Sequence, residues 1–335
     1  MKYNTDTITD IQTAAEFLKL SQSFLHSQSG FLYIPGVFYQ LKASSELDKG
    51  PDVLGVREPS RLAKALALFK SLVPTDETED LTDGKKRIKA FSATEETAYY
   101  AEAVPHVTYK ELVTKFTAEE FKGFVANGKK FLSKNDYMVL DCFLLKNGTG
   151  YACDGYRAYK KILDNDAVRD EILLNKRAAE AIAKTASGLI SVYKQGSSVI
   201  YETDRYRFID TPKKGSFPDT DFIFKPLAVS QEVETDDLRE AAAFLDSAVT
   251  DQKKVVHFFK DRIETKNNSA SDFSGMYFKT ETAINLKYLI DAVSVFPKKS
   301  RIVSQHSEMP IDPIIFKSET EAVSTLPVSI NSHVA

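Results

Sequence analysis

The chain has 335 residues, enough for two or three domains with a sizeable core. Its 43% hydrophobic and 27% charged residues give an ordinary globular balance and exclude a disordered chain. A net charge of −3 and a pI near 6.0 exclude coating of nucleic acid by bulk charge, while leaving room for a local basic face.

Six segments read as amphipathic helices, in chain order. Residues 10–25 open at Asp10 and place Ala14, Phe17, Leu18 and Leu25 near one face. Residues 59–72 start at Pro59, a residue suited to a first helical position, and continue with Leu62, Ala65, Leu66 and Phe69. Residues 117–133 start with Thr117 and Glu120, the spacing of a capping box, and carry Phe121, Phe124, Val125 and Leu132. Residues 175–187 carry Ala178, Ala179, Ile182 and Ala186; residues 235–249 carry Leu238, Ala241, Ala242 and Leu245; residues 285–296 carry Leu286, Leu289, Ile290 and Val293. Between the later helices lie strand-type runs, rich in β-branched and aromatic residues and interrupted by turns: "YMVLDCFLLK", "GYACDGYRAYKKIL", "LISVYKQGSSVIYETDRYRFID" and "RIVSQHSEMPIDPIIFK". The order helix, strands, helix, strands occurs three times.

The three units also end alike. "YYAEAVPHV" reaches Pro105, "FIFKPLAV" reaches Pro226 and "VSTLPVSI" reaches Pro327, at intervals of 121 and 101 residues. A repeat of about 110 residues with two helices and many strands follows, and proline suits the end of a strand at a unit boundary. The expected domains are residues 1–112, 113–227 and 228–335. The linker "VTYKELVTKF" is too short for free motion between the first two, and the chain closes in a polar tail after Ile330.

The chemistry-bearing candidates thin out on inspection. "KNGTGYACDGYR" (146–157) has three glycines, but Gly148, Gly150 and Gly155 miss the G-x-G-x-x-G spacing, and strand rather than helix follows. Asn147-Gly148 between two apolar runs is instead a hairpin signal. Cys153 lacks a neighbouring base or a Cys-x-x-Cys partner, and the five histidines form no metal-binding cluster. It reads as a strand residue, and no catalytic residue, metal or cofactor is expected. There is no G-x-S-x-G and no phosphate-binding G-x-x-x-x-G-K-[ST]. Asp236-Asp237 suits the dipole of a helix start, and "DETED" (76–80) reads as a solvated loop.

Two cysteines, Cys142 and Cys153, fit a reducing compartment, and no apolar run approaches the roughly 18 residues of a membrane span. "MKYNTDTITDIQTAAEF" lacks the apolar stretch of a signal peptide, so the expected location is cytoplasmic with no membrane partner.

Basic helix residues are more informative. Lys122 and Lys129 are seven apart and share a helix face, with Lys130 beside them. Arg177 and Lys184 repeat that spacing, and Arg61 and Lys64 form a closer pair on the second helix. Each set reads either as an ordinary solvated face or, gathered by a repeat, as one surface for phosphates without sequence preference.

At "DYMVLDCFLLKNGTGYACDGYRAY" the sequence resembles the second domain of the bacterial DNA polymerase III sliding clamp, the β subunit. That family has an apolar strand, a short turn and a Thr-Asp-Gly-His-Arg-Leu-like signature, which stands here as Cys153-Asp154-Gly155-Tyr156-Arg157-Ala158. "YRFIDTPKKGSFPDTDFIFKP" is similar to the family's Gly-x-Phe-Pro-Asp and closing proline, here Gly215, Phe217, Pro218, Asp219 and Pro226. The family's final Met-Pro-Met-like strand stands as Leu326-Pro327-Val328. The resemblance covers about residues 115–330, whereas residues 1–112 match in layout only.

The resemblance implies an α+β fold of three clamp domains, each with two helices packed on antiparallel sheets, closed into a ring as a head-to-tail homodimer. The first domain of one copy would meet the third of the other. Helices would line the hole, where Arg61, Lys64, Lys122, Lys129, Lys130, Arg177 and Lys184 would face duplex DNA. It implies a processivity factor without catalytic chemistry. DNA polymerase and clamp loader would dock through short linear motifs in a pocket matching Cys153, Gly155, Tyr156, Arg157, Ala158, Pro226, Ser324, Leu326 and Val328. Cys153 for a threonine-like residue, Ala158 for leucine and Ser324 at a usually apolar position imply a different partner motif. Two other classes stay open: a clamp-fold scaffold that does not encircle DNA, and an enzyme using Cys153 or an acidic pair.

Overall fold

The computed structural model describes residues 111–134, 139–163, 171–196, 198–203, 206–210, 212–248, 254–260, 262–265, 268–272 and 276–328, and before residue 111 the strands alone. Those first strands are β1 (Leu25–Gln28), β2 (Phe31–Ile34), β3 (Tyr39–Leu41), β4 (Leu54–Val56), β5 (Thr78–Asp80), β6 (Lys86–Phe91) and β7 (Thr94–Ala98). β8 (Glu111–Thr117) runs into helix α1 (Ala118–Gly128). After 3-10 turns at Lys129–Phe131 and Val139–Asp141 come β9 (Cys142–Lys146), β10 (Thr149–Cys153), β11 (Arg157–Ile162) and β12 (Glu171–Asn175). Helix α2 (Lys176–Thr185), β13 (Leu189–Gln195), β14 (Ser198–Glu202), β15 (Tyr206–Asp210) and the short α3 (Thr220–Ile223) follow. β16 (Val229–Glu234) runs into α4 (Thr235–Ala248), then β17 (Val255–Lys260), β18 (Arg262–Thr265), β19 (Asn268–Asp272) and β20 (Phe278–Asn285). Helix α5 (Leu286–Val293), β21 (Arg301–His306), β22 (Ile314–Lys317) and β23 (Glu321–Thr325) complete the chain.

The order of elements recurs. From β8 to β15 it is strand, helix, four strands, helix, three strands, and from β16 to β23 it is the same. β1 to β7 supply four strands and then three. The helices expected over 10–25 and 59–72 lie outside the described residues, apart from Leu25, which opens β1.

The helix starts follow local chemistry. Glu120 N–H donates to Thr117 Oγ1 at 3.2 Å while Thr117 N–H donates to Glu120 Oε2 at 3.1 Å, the reciprocal capping box expected at α1. Asn175 and Asn285 cap α2 and α5, accepting from Arg177 N–H at 2.9 Å and Lys287 N–H at 2.8 Å. α1 stops at Gly128, short of the expected 133, and a Cβ at Gly128 would lie 2.9 Å from Phe143 and 3.1 Å from Tyr159. "DETED" is corrected in part: Thr78–Asp80 is a strand, paired in register with residues 86–88.

Contacts gather the chain into two compact units. The first comprises residues 1–122 and 166–213, the second 123–165 and 214–335. In the first unit an antiparallel sheet of eight strands runs β4-β1-β2-β3-β15-β14-β13-β8, and a smaller one runs β5-β6-β7. Its core includes Ile190, Val192, Ile200, Tyr201 and Phe208, and Phe116 stacks on Phe121 at 5.0 Å. Ala178, Ala179 and Ile182 are the buried stripe of α2.

In the second unit β9-β10-β11-β23-β22-β21-β16 form a continuous antiparallel ladder, beside a four-stranded sheet β19-β18-β17-β20. Phe124, Phe131, Phe143 and Tyr159 make the core under the C-terminal half of α1, with Phe124 5.0 Å from Phe143 and 6.0 Å from Tyr159. α4 and α5 are tied together by Arg239, whose Nη2 donates to the carbonyls of Val293 and Phe296. The β9–β10 turn is the expected Asn-Gly hairpin, with φ of 49° at Asn147 and 70° at Gly148.

Gly150 sits directly under this core, where an added Cβ would fall 2.5 Å from the Phe124 ring. Gly150→Ala is therefore expected to destabilise by about 1–3 kcal/mol through overpacking. Denaturant melts of Gly150→Ala, alone and with Phe124→Leu, check this: the second change should recover part of the loss, and equal melting of wild type and Gly150→Ala would refute the close packing.

Candidate functional site

The turn between β10 and β11 is built by Asp154. Its Oδ1 accepts from the backbone N–H groups of Tyr156 and Arg157, both at 2.9 Å, and its Oδ2 accepts from Arg157 Nε at 2.9 Å. Gly155 supplies φ +90° and donates its N–H to Cys153 Sγ at 3.3 Å. The turn leaves Tyr156 exposed at 63% and returns Arg157 to 8%.

Arg157 faces the helices. Nη1 bonds Asp291 Oδ2 at 2.5 Å, Nη2 donates to the Lys130 carbonyl at 2.6 Å, and the guanidinium lies 4.4 Å from the Tyr288 ring and 5.2 Å from that of Phe131. It clasps β11, the 3-10 turn and α5 together, so it holds the site and does not line its floor. Tyr159 reaches the same side and donates its hydroxyl to Glu321 Oε1 at 2.6 Å. Burial, with the Glu321 carboxylate beside it, pushes that phenol well up, which keeps it a neutral donor.

The opposite face carries the expected pocket residues. Cys153 pairs with Ala158, Ala158 with Ser324, and Ser324 with Ile315, so four buried side chains form one row across four strands. Leu326 extends the ladder by donating its N–H to the Tyr156 carbonyl at 2.8 Å, and its side chain is 42% exposed. Leu326 and Tyr156 thus stand together just past the ends of β23 and β11, two residues along the strands from Ser324 and Ala158. The loop between β21 and β22 enters at the same end and exposes Met309 and Ile311. Val328 lies beyond, tied by its N–H to the Ala283 carbonyl at 2.8 Å.

The segment carrying Pro226 borders the same face. Gly215 fits tightly on Val139, Asp219 caps α3, and Phe224 reaches Tyr151 at 6.2 Å. Pro226 itself is exposed. The sequence reading missed Tyr151, Lys160, Phe224 and Ile315. The β10–β11 turn at Asp154-Gly155 sets Tyr151 opposite Lys160 and was the one local signal for that pair.

Cys153 is 4% exposed, and burial pushes its thiol up, away from the reactive thiolate. Among the described residues no cluster of His, Cys, Asp and Glu could hold a metal, and no helix is long and apolar enough to cross a membrane.

The basic residues divide. Lys122 on α1, Lys129 in the following turn, and Arg177 and Lys184 on α2 are exposed. Lys130 is half-buried, its Nζ donates to Ser294 Oγ at 2.9 Å, and burial pulls its ammonium pKa down. Arg61 and Lys64 lie outside the described residues. The helices of the last repeat carry no matching basic face: α4 has Asp236, Asp237, Glu240 and Asp246 against Arg239, and Lys287 on α5 pairs with Asp291 at 3.2 Å.

No family model and no curated protein matches the sequence. Solved structures do match over nearly the whole chain. The DNA polymerase III β subunit of Thermotoga maritima aligns with a TM-score of 0.75 at 15% identity, over 97% of both chains. That of Pseudomonas aeruginosa aligns at 0.73 and 16%, over 96% of this chain and 97% of the other. The Helicobacter pylori β clamp, solved with a DNA ligase peptide bound, aligns at 0.70 and 12%, over 97% and 98%. The chain has the α+β sliding-clamp fold.

Removing the Arg157 guanidinium would leave the half-buried carboxylates of Asp154 and Asp291 without the cation between them, Asp291 keeping only the exposed Lys287. Arg157→Ala is expected to cost about 3–5 kcal/mol, with little recovery in Arg157→Lys, which lacks the planar fork. Chemical denaturation of both variants measures this, and a lysine variant as stable as wild type would show that charge alone suffices.

Proposed function

We propose that this chain is a DNA polymerase processivity factor, a clamp that encircles duplex DNA as a homodimer and tethers partner proteins through the groove of β10, β11, β22 and β23. The observation that carries the reading is how the sheets join. In the first unit β3, third of its four-strand set, pairs with β15, last of a three-strand set. In the second unit β11 pairs with β23, again third with last. Among the described strands, one set of each kind ends without a further hydrogen-bonded neighbour: β19, third of β17–β20, and β7, last of β5–β7. By the same rule β19 of one copy takes β7 of another, and two such joints close two chains head to tail.

On this reading the repeats are residues 1–112, 113–227 and 228–335. Lys122, Lys129, Arg177 and Lys184 contact phosphates without reading bases, with Arg61 and Lys64 as their counterparts in the first repeat. Lys130 serves the packing against Ser294 instead. DNA polymerase and clamp loader dock by short linear motifs, and the chain performs no catalysis in the cytoplasm. The acidic α4, with Phe244 exposed at 53%, favours a second reading: a clamp-fold scaffold that never closes on DNA.

Light scattering at micromolar concentration separates the two. A ring predicts a mass of about twice the 37.5 kDa chain, and a monomeric mass for Ala270→Pro, which puts a ring without an N–H into β19. Lys122→Glu with Arg177→Glu should keep the dimer and lower retention on circular DNA about tenfold or more. A monomeric wild type removes the ring and leaves the scaffold.

A further inference from the structure

Beyond the apolar row, the outer face of the same ladder carries a second row. Tyr151 pairs with Lys160, Lys160 with Ala322, and Ala322 with Lys317. Lys160 and Lys317 therefore flank Ala322, roughly 10 Å apart across two strand spacings and about 7 Å along the strands from the Cys153–Ile315 row. Both are half-buried. Lys160 Nζ lies 6.0 Å from the ring centres of Tyr151 and Phe224, and neither lysine has an ion-pair partner among the described residues.

Their isolation differs from that of neighbouring charges. Lys161, one residue on and facing the helices, pairs with Glu321 at 3.2 Å. On the outer face, Glu232 and Glu234 of β16 are engaged by Arg301. Asp219 is occupied as the α3 cap, and Lys225 adds another exposed cation. Asp221, near Tyr151, is the remaining acid on that border. An extended segment anchored on the exposed Leu326 and Tyr156 and running along the strands would cover two ammonium groups and strip their water unless it brought an anion.

We propose, resting on the docking reading above, that the groove selects partner segments bearing an Asp or Glu side chain about 13 Å along the strands from the apolar anchor that sits on Leu326 and Tyr156, and that Lys160 and Lys317 determine this specificity. The carboxylate seats between the two ammonium groups while Tyr151 and Phe224 wall the contact from solvent. This adds an electrostatic filter to the apolar pocket.

The test is selection of random peptides displayed on phage against the purified full chain. Enriched peptides should combine apolar residues with Asp or Glu at a fixed offset, and replacing that acid by Asn or Gln should weaken binding about tenfold or more. Against Lys160→Glu/Lys317→Glu, checked by circular dichroism for fold, the enriched charge should switch to Lys or Arg. Peptides that are lost on Leu326→Ala/Tyr156→Ala, yet show no acidic preference and bind the double glutamate variant unchanged, overturn this inference and leave the docking groove intact. Peptides indifferent to Leu326→Ala/Tyr156→Ala, or no enrichment at all, overturn the docking reading and this inference with it.

Discussion

Residues 157–161 pair in register with residues 325–321, and the geometry of the outer face of the sheet depends on that ladder. Joining segments so far apart costs loop-closure entropy before any contact returns it. The compensation is concentrated at the same strand. Arg157 bonds Asp154, Asp291 and the Lys130 carbonyl, Tyr159 bonds Glu321, and Phe124 and Phe131 stack around the Tyr159 ring. One face of β11 is thus devoted to holding the pairing. The other face is then free to present Ala158 and Lys160.

Strand alternation produces this division. Arg157, Tyr159 and Lys161 face the helices, and Ala158 and Lys160 face outward. A shift of one residue in register would expose the arginine clasp and bury the lysine, so the Asp154 turn, which fixes the register at its start, is as important to the proposed docking as any residue of the outer face. The sheets generalise the arrangement. Each joint pairs the third strand of one set with the last strand of another, so a single rule accounts for β3 with β15 and β11 with β23, and among the described strands β7 and β19 end their hydrogen-bonded sheets.

The sequence made local features legible and non-local ones not. Thr117 with Glu120, Asn175 and Asn285 marked helix starts because a cap is satisfied within three residues. Asn147-Gly148 marked its hairpin because the turn needs two positive φ values. The repeat was legible as an order of elements, and most of the floor entered through the resemblance of "CDGYR" and "LPV" to a known family. The inward turn of Arg157 was not legible, since its partners Lys130 and Asp291 are distant in sequence. The outward pairing of Lys160 with Ala322 and Lys317 needed the β11–β23 register. The acidic composition of residues 76–80 reads as a loop, whereas the strand at Thr78–Asp80 depends on its pairing with residues 86–88.

A clamp that holds DNA by enclosure needs only loose phosphate contacts, which agrees with an overall charge of −3 and a few exposed cations on α1 and α2. The most direct measurement of that claim is retention of the loaded protein on closed circular DNA compared with the same DNA cut once, with a clamp loader supplied. Topological linkage predicts long retention on the circle and rapid loss from the cut ends at equal salt. Equal loss from both would contradict enclosure and leave the fold as a scaffold.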